Sequence, residues 1–142
     1  MSKSWLAAAG LFALSVLGTV GCGPVGPKTF PVKGQVQLPG GDIKVLAGHS
    51  LQIVQEGDPQ VQAYAEIKPD GSFALESYDK GVVSAGALEG KYKARIVLSD
   101  DNLEARDRAA QVVPSTYLQF DTSDLKLEVP AKGDVTLPLV RR

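Results

Sequence analysis

Hydrophobic and polar residues alternate with a period of two along most of the chain from Phe30 onward, which is the pattern of half-buried β-strands. The clearest example is residues 92–98, where Tyr, Ala, Ile and Leu occupy every second position. The same alternation recurs in several further runs, at residues 30–38, 51–54, 61–67, 73–75, 125–129 and 135–139. The chain is therefore predicted to form about seven short strands.

Turn-forming residues separate these runs and predict how the strands connect. The Asp-Gly pair within residues 69–71 supplies a glycine that tolerates positive φ, so we expect a hairpin there. Residues 125–129 and 135–139 are expected to pair across the turn 130–134. Pro138 cannot donate a hydrogen bond to a neighbouring strand, which places the last strand at a sheet edge.

Residues 99–112 break the alternation and are rich in helix-forming residues. Acidic residues such as Asp100 stand at the start and arginines follow, as the helix dipole favours, and Glu104 lies four residues before Arg108. Pro114 then ends the segment. We predict a short surface helix inserted between two strands.

Together these patterns predict an all-β protein: a seven-stranded antiparallel β-sandwich over residues 30–142, with one short inserted surface helix and a signal peptide before it. Residues 22–142 form a chain of 121 residues, which is one domain and enough to bury a core. They carry 14 Lys and Arg against 16 Asp and Glu. This slightly acidic balance argues against a nucleic-acid partner.

The first 21 residues have the order of a secretory signal peptide. Lys3 supplies a positive start, residues 5–20 are uncharged and apolar, and Gly21 is one of several small residues that follow. The alternative is an uncleaved membrane anchor. However, the apolar stretch has 16 residues and contains two glycines, whereas a spanning helix needs about 20 residues.

Cys22 is the only cysteine, and it follows the apolar stretch directly. The junction Thr19-Val20-Gly21-Cys22 resembles the bacterial lipobox, in which the cysteine carries lipid, although Thr19 stands where Leu is usual. A free or intermolecularly bridged thiol is the alternative. Residues 22–29, with two Gly-Pro pairs, then form a tether. These features predict an exported protein that a lipid anchors in the bacterial envelope, at the periplasmic face or the outer membrane.

Five short motifs resemble bacterial lipoproteins with a carboxypeptidase-regulatory-like, transthyretin-like (prealbumin-like) domain. In chain order, they are Pro31-Val32-Lys33-Gly34-Gln35-Val36, Leu46-Ala47-Gly48-His49-Ser50-Leu51, Asp70-Gly71-Ser72-Phe73, Gly90-Lys91-Tyr92-Lys93-Ala94, and Val113-Pro114-Ser115-Thr116-Tyr117 with Thr122-Ser123-Asp124-Leu125. The resemblance covers about residues 30–140 and implies a prealbumin-like sandwich without catalytic residues. The loop 39–45 and the helical insert depart from the family pattern and leave a loop-borne function open.

The chain lacks an evident catalytic constellation. His49 is the only histidine, and the adjacent Ser50 would point to the opposite face of a strand, so the two would not form a catalytic pair. A zinc site needs three or four Cys, His or carboxylate ligands, which one histidine does not favour. The transthyretin-like hydrolases end in Tyr-Arg-Gly-Ser, which this chain lacks. The sequence therefore predicts no enzymatic activity and no cofactor.

Two kinds of small-ligand site remain as alternatives. Oxygen-rich loops bind calcium in some sandwiches, and the candidate calcium ligands here are Asp100, Asp101, Asp121 and Asp124. Exposed aromatic rings bind glycans, and the candidates are Tyr64, Tyr78, Tyr117 and Phe120. The sequence thus predicts a lipid-anchored, non-enzymatic structural or protein-interaction module, with carbohydrate or calcium binding as the alternative and an envelope protein or glycan as partner.

Overall fold

A computed structural model describes residues 26–141, so the predictions for the signal peptide, Cys22 and the first part of the tether lie outside the described residues. The described chain is mostly β-sheet with one α-helix. Its strands are β1 (Thr29–Phe30), β2 (Lys33–Gln37), β3 (Ser50–Gln55), β4 (Asp58–Glu66), β5 (Ser72–Ala74), β6 (Glu76–Asp79), β7 (Val82–Ala85), β8 (Ala87–Leu88), β9 (Gly90–Val97), β10 (Lys126–Val129) and β11 (Val135–Pro138). The helix α1 covers Leu103–Val112, and two 3₁₀ helices cover Ile43–Leu46 and Ser115–Leu118.

The strands form three sheets. The largest has six strands in the order β10-β9-β3-β4-β6-β7, and all its pairs are antiparallel. A second sheet has the order β11-β2-β5, and β1 pairs with β8 in a two-stranded ribbon. The six-stranded and three-stranded sheets both contribute apolar side chains to one hydrophobic core, which is compatible with a β-sandwich.

Tyr92 on β9 is the largest fully buried side chain in this core. The sequence predicts that its ring is buried while its hydroxyl bonds a neighbouring loop. The ring is buried as predicted, but the hydroxyl bonds the last residue of β8 and not a loop. The hydroxyl donates to the carbonyl oxygen of Leu88 at 2.8 Å. The bond spans four residues and fixes the short segment between β8 and β9 against the core.

Two parts of the predicted fold need correction. The described residues contain eleven strands, whereas the alternation predicts seven. The predicted run 30–38 divides into β1 and β2, and three further strands, β6, β7 and β8, form in residues 76–88, where no strand is predicted. These three include a hairpin turn and a bend at Gly86, where φ is +89°. The sheets are also not wholly antiparallel, since β11 runs parallel to β2. Its position at the edge, predicted from Pro138, is confirmed.

The two predicted hairpins differ from the structure in their partners. The turn at residues 69–71 forms as expected, with φ of +84° at Gly71, but β4 and β5 belong to different sheets. Likewise β10 pairs with β9, and β11 pairs with β2, so they do not pair with each other. Alternation reports which face of a strand is buried, but both sheets face the same core, so it does not identify the neighbouring strand.

The inserted helix forms where the sequence predicts it, although α1 begins at Leu103 rather than near residue 99. The Asn102 side chain caps it by accepting from the backbone N–H of Ala105 at 3.0 Å. The predicted pair also forms, with Arg108 donating to Glu104 at 2.6 Å. Most of the helix is exposed, as a surface insert should be.

The N-terminal segment and the inserted helix lie at opposite ends of the domain. Thr29 pairs with Leu88, next to the start of β9, whereas α1 follows the end of β9. The eight residues of β9 separate the two ends by about 25 Å. The 3₁₀ helix Ile43–Leu46 contacts α1, so both irregular segments meet at the end remote from Thr29. Among residues 26–141, no helix has the length and apolar character needed to cross a membrane.

Candidate binding groove

An open groove of about 440 Å³ lies on the six-stranded sheet, along β4, β6 and β7. We call it the tyrosine groove, because the rings of Tyr64 and Tyr78 line it together with polar, charged and small side chains. Its other lining residues are Ser50, Ala65, Glu66, Lys68, Ala74, Glu76, Ser77 and Val83.

Strand pairing explains why the two tyrosines share a face. Tyr64 on β4 lies directly opposite Glu76 on β6, and Tyr78 follows Glu76 by two residues. Residues two apart in a strand point to the same side, so Tyr78 projects to the side that carries Tyr64. Val83 on β7 lies opposite Tyr78 and extends this surface to the edge of the sheet.

The groove borders the main concentration of exposed apolar side chains. Six large hydrophobic residues are exposed within residues 26–141, and four of them lie on β4, β6 and β7. These four are Tyr78, Val83, Val82 and Tyr64, with exposed fractions of 67%, 60%, 56% and 43%. Scattered surface hydrophobics are ordinary, but a cluster beside a groove is typical of an interaction site.

A chain of hydrogen bonds holds Tyr64 in position. Its hydroxyl donates to the side-chain oxygen of Gln62 at 2.5 Å and accepts from the amide of Gln52 at 3.1 Å. The oxygen of Gln52 in turn accepts from Arg95 at 2.8 Å. The Arg95 guanidinium lies 4.8 Å from the ring centre of Phe120, a cation–π contact. These bonds fix the position of the Tyr64 hydroxyl on the surface of the sheet.

His49 occupies a buried position away from this groove, with 2% of its surface exposed. Its Nδ1 accepts a hydrogen bond from the backbone N–H of Ser99 at 3.0 Å, and its Nε2 is buried without a partner among the described residues. The adjacent Ser50 lines the groove instead. The structure therefore gives the imidazole a packing and hydrogen-bonding role between two chain segments.

The acidic pair before α1 is engaged in local contacts. Asp100 forms an ion pair with Arg106 at 2.8 Å, and Asp101 accepts from the Ser99 hydroxyl at 2.9 Å. In residues 26–141, no three His, Cys, Asp or Glu side chains are placed so that they would hold a metal ion together. The calcium candidates are thus not assembled into one cluster there.

The remaining candidates lie within the second 3₁₀ helix or in the segment that follows it. Asp121 and Asp124 are both exposed, and Phe120 is half-buried against Arg95. Tyr117 is buried, and its hydroxyl bonds the backbone of Val140 in both directions at 3.0 Å. Of the four aromatic residues proposed for glycan contact, Tyr64 and Tyr78 are the two that the structure brings into one groove.

The sequence does not indicate the charged residues of the groove. Glu66, Lys68 and Glu76 come from β4, the following turn and β6, and their proximity depends on the pairing of Tyr64 with Glu76. The sequence does contain one local indication of an exposed apolar residue beside the groove. Two valines follow the Lys-Gly turn at residues 80–81, and consecutive residues of a strand point to opposite sides, so one of the two valines cannot face the core.

No family model, curated protein or solved structure matches this chain.

Proposed function

We propose that this chain is an exported, lipid-anchored and non-enzymatic β-sandwich module of the bacterial cell envelope, which binds a partner protein at the tyrosine groove. One observation carries the location of the binding surface. Three of the six large exposed hydrophobic residues in the described chain, Tyr64, Tyr78 and Val83, line this groove. Aromatic side chains and a hydrophobic surface beside a polar rim are typical of protein interfaces.

The lipid anchor is supported by the N-terminal sequence. Cys22 is the only cysteine, and it stands between a 16-residue apolar stretch and a Gly-Pro tether. The resemblance to lipoproteins with a carboxypeptidase-regulatory-like domain agrees with this interpretation. A lipidated Cys22 would hold the start of β1 near the membrane, so the groove would be presented from a surface-bound domain.

The non-enzymatic role is supported by the surroundings of His49. A general base needs a free lone pair beside a nucleophile, but Nδ1 already accepts from the Ser99 backbone, and the ring is buried. The groove itself contains two carboxylates, a lysine and two tyrosines, but no imidazole or thiol.

Two measurements test the proposal. Cys22→Ala should move the protein from the membrane to the soluble fraction while its circular dichroism stays unchanged; retention in the membrane would contradict the lipid anchor.

A photo-crosslinking residue at Tyr78 should capture an envelope protein in intact cells, whereas the same residue at Leu103, exposed on α1, should not. Equal capture at both positions, or none at Tyr78, would contradict binding at the groove.

Carbohydrate binding is a second candidate for the same groove. The favouring observation is that two exposed tyrosine rings lie beside Glu66 and Glu76, because sugars stack on aromatic rings and their hydroxyl groups donate hydrogen bonds to carboxylates. Calorimetric titration with soluble fragments of envelope glycans tests it. Saturable heat that Tyr78→Ala abolishes would favour the glycan over the protein partner.

A further inference from the structure

Three of the four outer edges of the two larger sheets carry features that prevent pairing with another chain. The edge strand β10 exposes Lys126 and Glu128, and β11 contains Pro138. The third, β5, has only three residues. Charges, proline and shortness are the usual means by which proteins protect sheet edges. The fourth edge, β7, has the sequence Val-Val-Ser-Ala and none of the three features.

The backbone of β7 has hydrogen-bonding groups directed to its open side. The β6–β7 turn has two central residues with positive φ, Lys80 at +49° and Gly81 at +86°, as in a type I′ hairpin. Asp79 and Val82 flank this turn and form its hydrogen-bonded pair. Hydrogen-bonded and non-hydrogen-bonded pairs then alternate. The N–H and C=O of Val83 therefore point away from β6, toward the open edge.

The side chains next to this edge define what an added strand would need. Val83 and its neighbour Tyr78 offer an apolar surface, so a residue placed opposite Val83 should be apolar. Two positions further along, Ala85 lies opposite Glu76, which is exposed and forms no ion pair among the described residues. Ala85 is small, so a Lys or Arg opposite it would reach across to the Glu76 carboxylate.

We propose that β7 is a strand-addition site for an extended peptide segment with an apolar residue opposite Val83 and a Lys or Arg opposite Ala85. The inference rests on the proposed function, since it names the kind of partner that the module binds. A second copy of the chain fits the site less well. Antiparallel pairing of two β7 strands centred on Val83 would place Gly81 opposite Ala85, and Gly81 supplies no charge for Glu76.

A synthetic peptide tests the site directly. The probe is acetyl-Thr-Lys-Thr-Val-Thr-Lys-Thr-amide, which has a lysine two residues from its valine in both chain directions, and the control peptide has Glu in place of both lysines. Titration of the purified full chain in detergent, followed by amide NMR shifts, should show changes centred on residues 82–85 with the Lys peptide. The Glu peptide should bind about threefold to fivefold more weakly.

Variants of the protein complete the test. Val83→Lys should weaken binding of the Lys peptide at least about threefold, because it adds a protective charge to the edge, whereas Val140→Lys, at an exposed valine elsewhere, should not. Glu76→Gln should remove the preference for the Lys peptide over the Glu peptide. Unchanged circular dichroism shows that each variant is folded.

Several results would overturn strand addition: no shifts with either peptide, shifts outside β6 and β7, equal affinity for both peptides, or a concentration-dependent dimer that forms through β7 and excludes the peptide. These results are distinct from failure of the proposed function. If crosslinking at Tyr78 captures no envelope protein while the peptide binds as expected, the proposed function is wrong and the strand-addition site stands.

Discussion

The Nδ1 atom of His49 accepts a hydrogen bond from the backbone N–H of Ser99 at 3.0 Å. His49 stands directly before β3, and Ser99 lies between β9 and α1, so the bond joins two segments fifty residues apart in sequence. Because Nδ1 is the acceptor, the neutral ring carries its proton on Nε2. This hydrogen bond holds the segment that leads into α1 against the start of β3 in the six-stranded sheet.

Replacing the imidazole should remove this hydrogen bond. His49→Leu fills much of the same space but offers no acceptor, so we expect a loss of about 1 kcal/mol in the free energy of unfolding. We also expect faster hydrogen exchange at the Ser99 amide. His49→Asn, whose carbonyl oxygen is an acceptor near the Nδ1 position, should restore part of the protection. Unchanged exchange of Ser99 in His49→Leu would show that the bond contributes nothing.

Tyr92 should make stability sensitive to alkaline pH. Burial raises the pKa of the Tyr92 hydroxyl above its ordinary value of 10.0, so the fold favours the protonated form. The contribution of Tyr92 to the free energy of unfolding is therefore complete below pH 10 and is lost as pH rises through the pKa of the folded state. Tyr92→Phe, which lacks the bond to Leu88, should cost about 1 kcal/mol at neutral pH.

The measurement is chemical denaturation at several pH values. The stability difference between the native protein and Tyr92→Phe should narrow above pH 10, whereas a Tyr78→Phe control at an exposed ring should show a constant difference. A difference for Tyr92→Phe that does not change with pH would contradict the prediction.

Asp70 should make the stability of the fold sensitive to acidic pH. Hydrogen bonds from the Ser72 side chain and then from its backbone N–H, at 2.9 Å, hold the pKa of the Asp70 carboxyl below its ordinary value of 3.8. The fold thus favours the ionised form, and this contribution is complete above pH 3.8 and is lost as pH falls through the lowered pKa. Asp70→Asn should therefore flatten the acid limb of a melting-temperature profile, and Asp107→Asn should leave it as steep as before.

Gly86 should tolerate no side chain. Its φ is +89°, and a Cβ there would lie 1.9 Å from the carbonyl oxygen of Phe30. Gly81, with a φ of +86° and open space around it, is a matched control in which only backbone strain applies. We expect Gly81→Ala to cost about 1 kcal/mol and Gly86→Ala about 1–3 kcal/mol more. Denaturation gives the values, and limited proteolysis near Thr29 should show that β1 has separated from β8 only in Gly86→Ala.

Several features of the fold could be predicted from patterns within single segments of the sequence. The burial of Tyr92 follows from period-two alternation, and α1 follows from its helix-forming residues and its charge pattern. The partners of β10 and β11 could not be predicted, because both strands bury one face in a shared core and their sequences contain no information on which neighbour lies beside them.

The tyrosine groove was predictable only in part. Tyr64, on the polar side of its strand, and Tyr78 are both among the four aromatic residues that the sequence offers for glycan contact. Their meeting depends on the register that places Tyr64 opposite Glu76, which is set by pairing between strands rather than by either strand alone. The open edge of β7 likewise becomes visible only when the order of the strands is known.

The two residue pairs between β1 and β8 also determine how tension would enter the domain. A pull on the chain ahead of Gly26 loads β1 first and then β2, which β11 and β5 hold on both sides. Part of the load is therefore taken up in the three-stranded sheet. The rest passes through the β1–β8 pairs to β7, which contacts β1 and directly precedes β8. A pull on the N-terminal segment would therefore reach the edge proposed for strand addition.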